Sequence, residues 1–104
     1  MITRVWRGWA RPELADQYEA HYRSEVLEHL QGVAGFVGAR LLRRPVGDEV
    51  EFVSLTFFAD LDAVRAFAGP SYETAVVAPL AHQILTHYEE SVTHYATPFT
   101  TDPP

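Results

Sequence analysis

Three side chains capable of acid–base or metal chemistry recur at every fourth position early in the sequence: His21, Glu25 and His29. Residues four apart lie along one stripe of an α-helix, so the spacing predicts that the three share a face. Two imidazoles flanking a carboxylate could form a surface metal site of borderline geometry. We favour the alternative of a solvated face whose charged groups pair with one another, and we predict no metal site.

Two further histidines, His87 and His94, fall in the last predicted strand. They are separated by an odd number of residues, so their side chains point to opposite faces and cannot bind one ion together. His94 is expected to be a core or interface histidine that hydrogen-bonds to the backbone.

All eight basic residues other than histidine are arginines. Arg4 and Arg7 lie on a strand expected to be central, so each is predicted to pair with an acid such as Glu89 or Glu90. The second predicted strand ends in three further arginines: Arg40, Arg43 and Arg44. We predict that they form cross-strand ion pairs with Glu49 and Glu51 on the other side of the hairpin.

Composition excludes several function classes. The net charge of -6 argues against nucleic acid and against anionic membrane surfaces as partners. The sequence contains no cysteine, which excludes disulfides, thiolate metal sites and cysteine nucleophiles. It also lacks a phosphate loop, a GxSxG elbow, an HExxH motif and a dinucleotide fingerprint, so nucleotide-cofactor enzymes and common hydrolases are set aside. With no signal peptide and no long apolar run, we predict a cytoplasmic protein.

Hydrophobic periodicity predicts the element order β-α-β-β-α-β. Strands are expected over residues 2–9, 36–44, 50–58 and 86–97, with a long helix between Pro12 and Gly32 and a short helix capped by Asp60. A second helical piece is predicted over residues 72–85, broken at Pro79. This order is the ferredoxin-like pattern, an α+β fold with a four-stranded antiparallel sheet and all helices on one face. We predict one domain over residues 1–99 and a loose tail over residues 100–104.

Both faces of the predicted sheet carry apolar side chains. The first strand places Trp6 on one face and Trp9 on the other, and the third strand places Phe52 and Leu55 on opposite faces. Helices can cover only one of these faces. We therefore predict that a second copy of the chain covers the other, as a homodimer.

Residues 50–85, which read VEFVSLTFFADLDAVRAFAGPSYETAVVAPLAHQIL, resemble the antibiotic-biosynthesis monooxygenase family. The similarity includes the Asp-Leu-Asp-Ala helix, Phe67, the Gly-Pro break, Tyr72 and Pro79. It extends from the opening ITRVWRGW to the His94-Tyr95 pair. The resemblance implies a dimeric α+β barrel, in which two ferredoxin-like sheets pack together and each subunit holds a ligand cavity between sheet and helices.

The resemblance also implies a function: some members are cofactor-free oxygenases that act on polyphenolic polyketide intermediates. Such a site needs an apolar slot for flat rings, polar groups that hold a phenolate, and a base. Five aromatic residues are expected to line that cavity and bind the substrate: Trp6, Tyr18, Tyr22, Phe67 and Tyr72. The expected polar and catalytic partners are His82, Arg40 and His21, and no cofactor is expected.

Two alternatives remain open at this point. One is a non-catalytic dimeric domain that binds a small hydrophobic metabolite or has a stress-related role. The other is a haem-binding or haem-degrading protein, because one branch of the family degrades haem. That branch uses an Asn on the first strand, a Trp on the helix after the third strand and a His just beyond it. The matching positions here are Trp6, Phe67 and about Val76, and all three depart from the pattern. We disfavour haem because Val76 cannot ligate iron and His82 is the only nearby substitute.

Overall fold

The computed structural model describes residues 1–101 of the chain. In this part, the strands are β1 (Ile2–Ala10), β2 (Phe36–Val46), β3 (Glu49–Phe58), β4 (Leu85–Tyr88) and β5 (Thr93–Ala96). The α-helices are α1 (Pro12–His21), α2 (Leu27–Gln31), α3 (Leu61–Ala68) and α4 (Pro79–Ile84). A π-helical turn over Tyr22–Val26 joins α1 to α2, so the predicted long first helix forms without interruption.

The sheet is antiparallel, with the order β2-β3-β1-β4, and β5 pairs with β1. The α+β prediction, with ferredoxin-like order and helices on one face, is confirmed. The predicted last strand is split in two. β4 pairs with the end of β1 from Gly8 to Ala10, whereas β5 pairs with its start from Ile2 to Val5.

Residues between β4 and β5 leave the sheet edge and pair with the segment before α4. The amide of Ala75 donates to the carbonyl of Glu90 at 2.8 Å, and the amide of Val92 donates to the carbonyl of Glu73 at 2.8 Å. The prediction of helix over residues 72–85 is therefore wrong before Pro79. Proline disfavours helical geometry in the preceding residue, and Ala78 is extended, with ψ of 153°. In this pairing the amide of Ala75 and the carbonyl of Glu73 find partners outside a helix.

Local sequence explains the boundaries of the other helices. Pro12 occupies the first turn of α1, where its missing amide costs nothing. The carboxylate of Asp60 accepts a hydrogen bond from the amide of Ala63 at 2.9 Å and caps α3 as predicted. Gly35, at the entry to β2, has φ of 89° and lies so close to Ala63 that a Cβ would be 2.7 Å from the Ala63 Cβ. Only glycine satisfies both constraints without strain.

The helices cover one face of the sheet and leave the other open in the single chain. Phe52, Phe58, Leu30 and Val64 are fully buried on the covered side. The open side, hereafter the outer face, carries apolar side chains from four strands: Val5, Trp9, Leu42, Val53, Leu55, Phe57 and Tyr95. The predicted division of apolar residues between two faces matches this structure.

No helix within residues 1–101 is long and apolar enough to cross a membrane. In the predicted tail, Thr100 and Thr101 are exposed and have no regular structure, and residues 102–104 lie outside the described residues.

Candidate ligand cavity

A cavity of about 250 Å³ lies between the covered face of the sheet and the first helix. The sheet contributes Arg4 and Trp6 from β1, and Ser54 and Thr56 from β3. The first helix contributes the opposite wall, formed by Tyr18, His21, Tyr22, Glu25, Val26 and His29. Phe67 of α3, residues 75–78, Ala81 and Val92 complete the lining. The cavity is mainly apolar with a few polar groups, which is typical of small-molecule sites.

The π-helical turn lies at the centre of the helical wall. Its wider winding spans Tyr22 to Val26, and three of its residues, Tyr22, Glu25 and Val26, line the cavity. Single π-helical turns inside α-helices are frequent at functional sites.

His21 is buried, with 4% of its surface exposed, and it lines the cavity. Its Nδ1 lies 3.1 Å from Oε2 of Glu25, yet Nδ1 makes no hydrogen bond with any described residue. The prediction that His21, Glu25 and His29 form a solvated face is therefore wrong for His21. A buried polar atom without a partner is costly, and such atoms are rare in folded proteins.

Two tyrosines stand beside His21 on the same wall. The hydroxyl of Tyr22 is 2.8 Å from the Ser54 hydroxyl, while the ring of Tyr18 packs on Phe52 at 4.7 Å between centroids. Burial raises the pKa of Tyr22, and burial together with the neighbouring Tyr22 raises the pKa of Tyr18. Both hydroxyls are therefore neutral at physiological pH and can donate hydrogen bonds.

The segment between β4 and β5 holds the Trp6 side chain in place. Its Nε1 donates to the carbonyl of Glu89 at 2.6 Å, and its ring lies 5.9 Å from that of Tyr88. The residues that leave the sheet edge thus fix one aromatic wall of the cavity.

Arg4 is a second buried polar residue of the lining, with 6% of its surface exposed. Its Nη1 donates to the carbonyl of Tyr72 at 2.6 Å and lies 3.0 Å from Nε2 of His94. Burial lowers the pKa of Arg4 to about 10, which still leaves it charged at neutral pH. Burial and the nearby Arg4 charge lower the pKa of His94, so His94 is the neutral acceptor in this pair.

The expected pairing of the β1 arginines with acids is half correct. Arg7 lies 3.6 Å from Glu89, as predicted. Within residues 1–101, Arg4 has no acid within ion-pairing distance, so the prediction is wrong there. His94 also departs from expectation, because its polar contact is the Arg4 side chain and not the backbone.

Of the arginines near the hairpin, one forms the predicted cross-strand ion pair and another pairs with different acids. Arg44 pairs with Glu51 at 3.0 Å, as predicted. Arg43 reaches instead to Asp16 and Glu19 on α1, at 2.9 and 3.3 Å. These contacts are on the helix side of the sheet, because Arg43 shares the face of Phe52.

The structure brings five of the eight expected site residues to the cavity: Trp6, Tyr18, His21, Tyr22 and Phe67. Tyr72 lies next to the lining, where its carbonyl holds Arg4. Arg40 and His82 do not reach it. Arg40 is exposed on the outer face opposite Leu55, and exposed His82 lies on α4 with Nδ1 3.4 Å from the Tyr88 hydroxyl.

Arg4, Ser54 and Thr56 line the cavity but were not among the expected site residues. The alternation of strand side chains placed Arg4 on the face of Trp6, and this signal could have found it. Ser54 and Thr56 likewise share the face of Phe52 on β3. In the part of the chain that the structure describes, no group of three or more histidine or acidic side chains could hold a metal ion.

A family model described as antibiotic biosynthesis monooxygenase matches residues 1–77. The chain belongs to this family. The matched part contains β1, the first helix and the cavity wall as far as Val77, which confirms the resemblance noted from the sequence. No curated protein matches the chain.

Solved structures of this family's fold include proteins with different activities. The haem degrader MhuD from Mycobacterium tuberculosis, solved with two haems in its active site, has a TM-score of 0.64 at 17% identity, covering 98% of this chain and 100% of that chain. A variant of SnoaB, a cofactor-independent oxygenase from Streptomyces nogalater, has a TM-score of 0.64 at 23% identity, covering 95% and 94%. At these identities the likeness establishes the fold and leaves the chemistry to the site.

The residue at the position that matches the iron ligand of the haem branch does not fit haem, although His21 and His29 carry ring nitrogens elsewhere in the lining. Trp6, Phe67 and Val76, at the positions that match the haem branch, all line the cavity, and the Val76 side chain offers only hydrocarbon. Haem iron in such a protein needs a nitrogen, sulfur or oxygen ligand from the chain.

Proposed function

We propose that this member of the family is a cofactor-independent monooxygenase acting on a small, flat aromatic substrate of polyketide type. The observation that carries the proposal is His21, a buried histidine whose Nδ1 has no hydrogen-bond partner among the described residues, in the wall of an aromatic-lined cavity. A general base must reach the proton that it removes, and burial beside the ligand space meets that requirement.

The proposed reaction begins with removal of an acidic proton from a phenol or its tautomeric methylene group by His21. The resulting carbanion transfers an electron to dioxygen, and recombination forms a carbon–oxygen bond and a peroxide. Loss of water from the protonated peroxide leaves a carbonyl group. One methylene is oxidised to a ketone, one oxygen atom enters the product and the other leaves as water, so no external reductant is needed.

The other lining residues have distinct roles in this proposal. Trp6, Tyr18 and Phe67 sandwich the rings of the substrate, and aromatic side chains stabilise such stacking. The carboxylate of Glu25, 3.1 Å from Nδ1 of His21, stabilises the imidazolium that forms when the proton arrives. The Tyr22–Ser54 pair uses one hydroxyl hydrogen in its own bond and supplies the other as a donor for the substrate oxygen.

Oxygen uptake with anthrone, an acidic tricyclic substrate, tests the function. We expect the wild type to consume oxygen and form the quinone, and Ala75→Phe, which fills the cavity, to lose about tenfold or more of kcat/KM because substrate is excluded. Ala20→Phe, on the exposed side of α1, is the matched control and should retain activity.

Two outcomes would contradict the proposed monooxygenase activity. Equal activity in Ala75→Phe and wild type would place the chemistry elsewhere. Ligand binding by the wild type without oxygen uptake would favour the alternative, a non-catalytic domain that binds a hydrophobic metabolite. A haem titration without a Soret shift is expected, because no axial ligand stands at the matching position.

We further propose that the active form is a homodimer in which the two outer faces pack together. The outer face carries apolar residues from four strands, and Leu42 and Tyr95 are 47% and 56% exposed in the single chain. Contiguous apolar surface of this kind on a sheet is typical of protein interfaces.

Leu55→Asp is expected to convert the dimer into monomer, because the introduced charge would be desolvated at the centre of the outer face. Sedimentation equilibrium should report twice 11.7 kDa for the wild type and 11.7 kDa for the variant. Leu80→Asp, at an exposed position of α4, should remain dimeric. A wild type that sediments at 11.7 kDa at micromolar concentration contradicts the proposal.

A further inference from the structure

Arg4 is a buried cation that no acid in the described part of the chain neutralises. Every salt bridge in residues 1–101 belongs to other side chains, including that of Glu89 with Arg7. Buried charges in folded proteins are normally paired, because desolvation of an isolated charge is costly. Because Arg4 lines the cavity, an anion bound in the cavity could neutralise its charge.

The guanidinium is held in one orientation. Nη1 makes its hydrogen bonds to the described residues, with the Tyr72 carbonyl at 2.6 Å and His94 Nε2 at 3.0 Å, and the group stands 5.6 Å from the centroid of the Phe67 ring. A guanidinium has five N–H donors, so most of them make no hydrogen bond to residues 1–101. A site whose donors are already oriented loses little entropy on binding.

Arg4 lines the cavity, and its donors other than Nη1 make no hydrogen bond to a described residue. Among buried side-chain nitrogen and oxygen atoms of the described residues, His21 Nδ1 alone lacks a hydrogen-bond partner. The Nε and Nη2 atoms of Arg4 are therefore not sealed in the core, although the residue is 6% exposed and Nη1 carries its bonds. Such a fork matches the two oxygens of a carboxylate.

The titratable groups around Arg4 form no ion pair with it within residues 1–101. Glu73 is near enough to His94 to act on its pKa in the raising direction, but the two larger effects lower it. His94 is neutral, since burial and the Arg4 charge lower its pKa. Glu25 and His21 lie on the helical wall of the cavity and approach each other at 3.1 Å. The cavity thus offers a carboxylate and an imidazole on the helix, and on the sheet a cation that forms no ion pair within residues 1–101.

We propose that the ligand of this cavity is an aromatic acid whose carboxylate is bound by the free donors of Arg4. The rings lie among Trp6, Tyr18 and Phe67, and the carboxylate fixes which edge of the ring system faces the sheet. This inference shares with the proposed function the need for a ligand in the cavity, but it does not require catalysis. The chain has a net charge of -6, so long-range electrostatics oppose binding of an acid and the preference must come from the site.

Two probes of the same shape test the proposal: anthracene-2-carboxylate and anthracene-2-carboxamide. Isothermal titration calorimetry of the wild type should show the acid binding about tenfold or more tightly than the amide, because charge-assisted bidentate hydrogen bonds are stronger than neutral ones. In Arg4→Gln the ratio should fall to about one, and Arg4→Lys should restore part of it because the charge returns without the fork. Arg43→Gln, which removes a cation outside the cavity, should keep the wild-type ratio.

The wild type alone can overturn the proposal, so a variant that fails to fold does not block the test. Binding of the amide as tightly as the acid, or binding of neither probe, excludes a carboxylate subsite. A preference that disappears between 50 and 500 mM salt also excludes it, since a surface attraction is screened while a buried pair is screened much less. Circular dichroism melts establish that each variant is folded.

The outcome is separable from that of the proposed function. Selective binding of the acid together with no oxygen uptake from anthrone supports the Arg4 subsite and overturns the oxygenase. Oxygen uptake together with equal affinity for the two probes supports the oxygenase and overturns the subsite.

Discussion

Replacing His21 with glutamine is expected to lower kcat for anthrone oxidation by about 10²–10⁴-fold, the range typical of losing a general base. Glutamine retains a similar size and can still form hydrogen bonds, but its amide does not accept a proton at neutral pH. Substrate affinity should change little, because the rings are held by Trp6, Tyr18 and Phe67. Steady-state oxygen uptake, with KM and kcat determined separately, measures the effect.

The matched control is His82→Gln. His82 is exposed on α4 outside the cavity lining, so its replacement should leave kcat unchanged. If His21→Gln retained wild-type kcat while binding substrate normally, the base would have to be another group, and the proposed chemistry would be wrong. A comparable loss in both variants would indicate an effect on folding, which thermal melts detect independently.

Replacing Phe58 with alanine is expected to reduce the free energy of unfolding by about 3–5 kcal/mol, the usual cost of deleting a buried aromatic ring. Phe58 is 0% exposed, and its ring contacts those of Phe36 and Phe67 at centroid distances of 6.0 and 5.7 Å. The truncation leaves a void between β3 and α3, which the close-packed surroundings can only partly fill. Because domains of this size are stabilised by roughly 5–15 kcal/mol in total, the loss is a large fraction.

Urea unfolding at one fixed protein concentration measures this change, since the stability of the homodimer proposed above would depend on concentration. The control is Phe99→Ala, a phenylalanine that is 80% exposed, for which we expect a change within about 0.5 kcal/mol. A loss below about 1 kcal/mol in Phe58→Ala would mean that the core around β3 and α3 is less tightly packed than the structure describes.

Local patterns in the sequence were sufficient for most of the fold. The period-two alternation in β1 and β3 separated Trp6 from Trp9 and Phe52 from Leu55, because successive strand side chains must point to opposite faces. Pro12 and Asp60 marked helix starts through backbone constraints that act within one turn. The same patterns failed over residues 72–78, where hydrogen bonds come from a distant segment after β4.

The candidate site could be predicted only in part from the sequence, because residues far apart in the chain form it. The four-residue spacing of His21, Glu25 and His29 predicts a shared stripe, but it does not say that a sheet carrying Arg4 and Trp6 lies opposite that stripe. Burial of His21 follows from that packing. Arg40 and His82 were plausible by residue type, and the strand register and helix position direct them elsewhere.

The sequence by itself therefore determined the family, the order of elements, and the presence of two apolar sheet faces, because these depend on side-chain periodicity and local backbone limits. Only the tertiary structure decided that the last strand breaks, that Glu89 holds Trp6, and that Arg4 meets His94 instead of an acid. The break accompanies pairing of the segment between β4 and β5 with residues before α4. The other two features depend on contacts between groups 83 and 90 residues apart in the chain. No local sequence pattern identifies the partner of such a group, since tertiary packing determines which side chains meet.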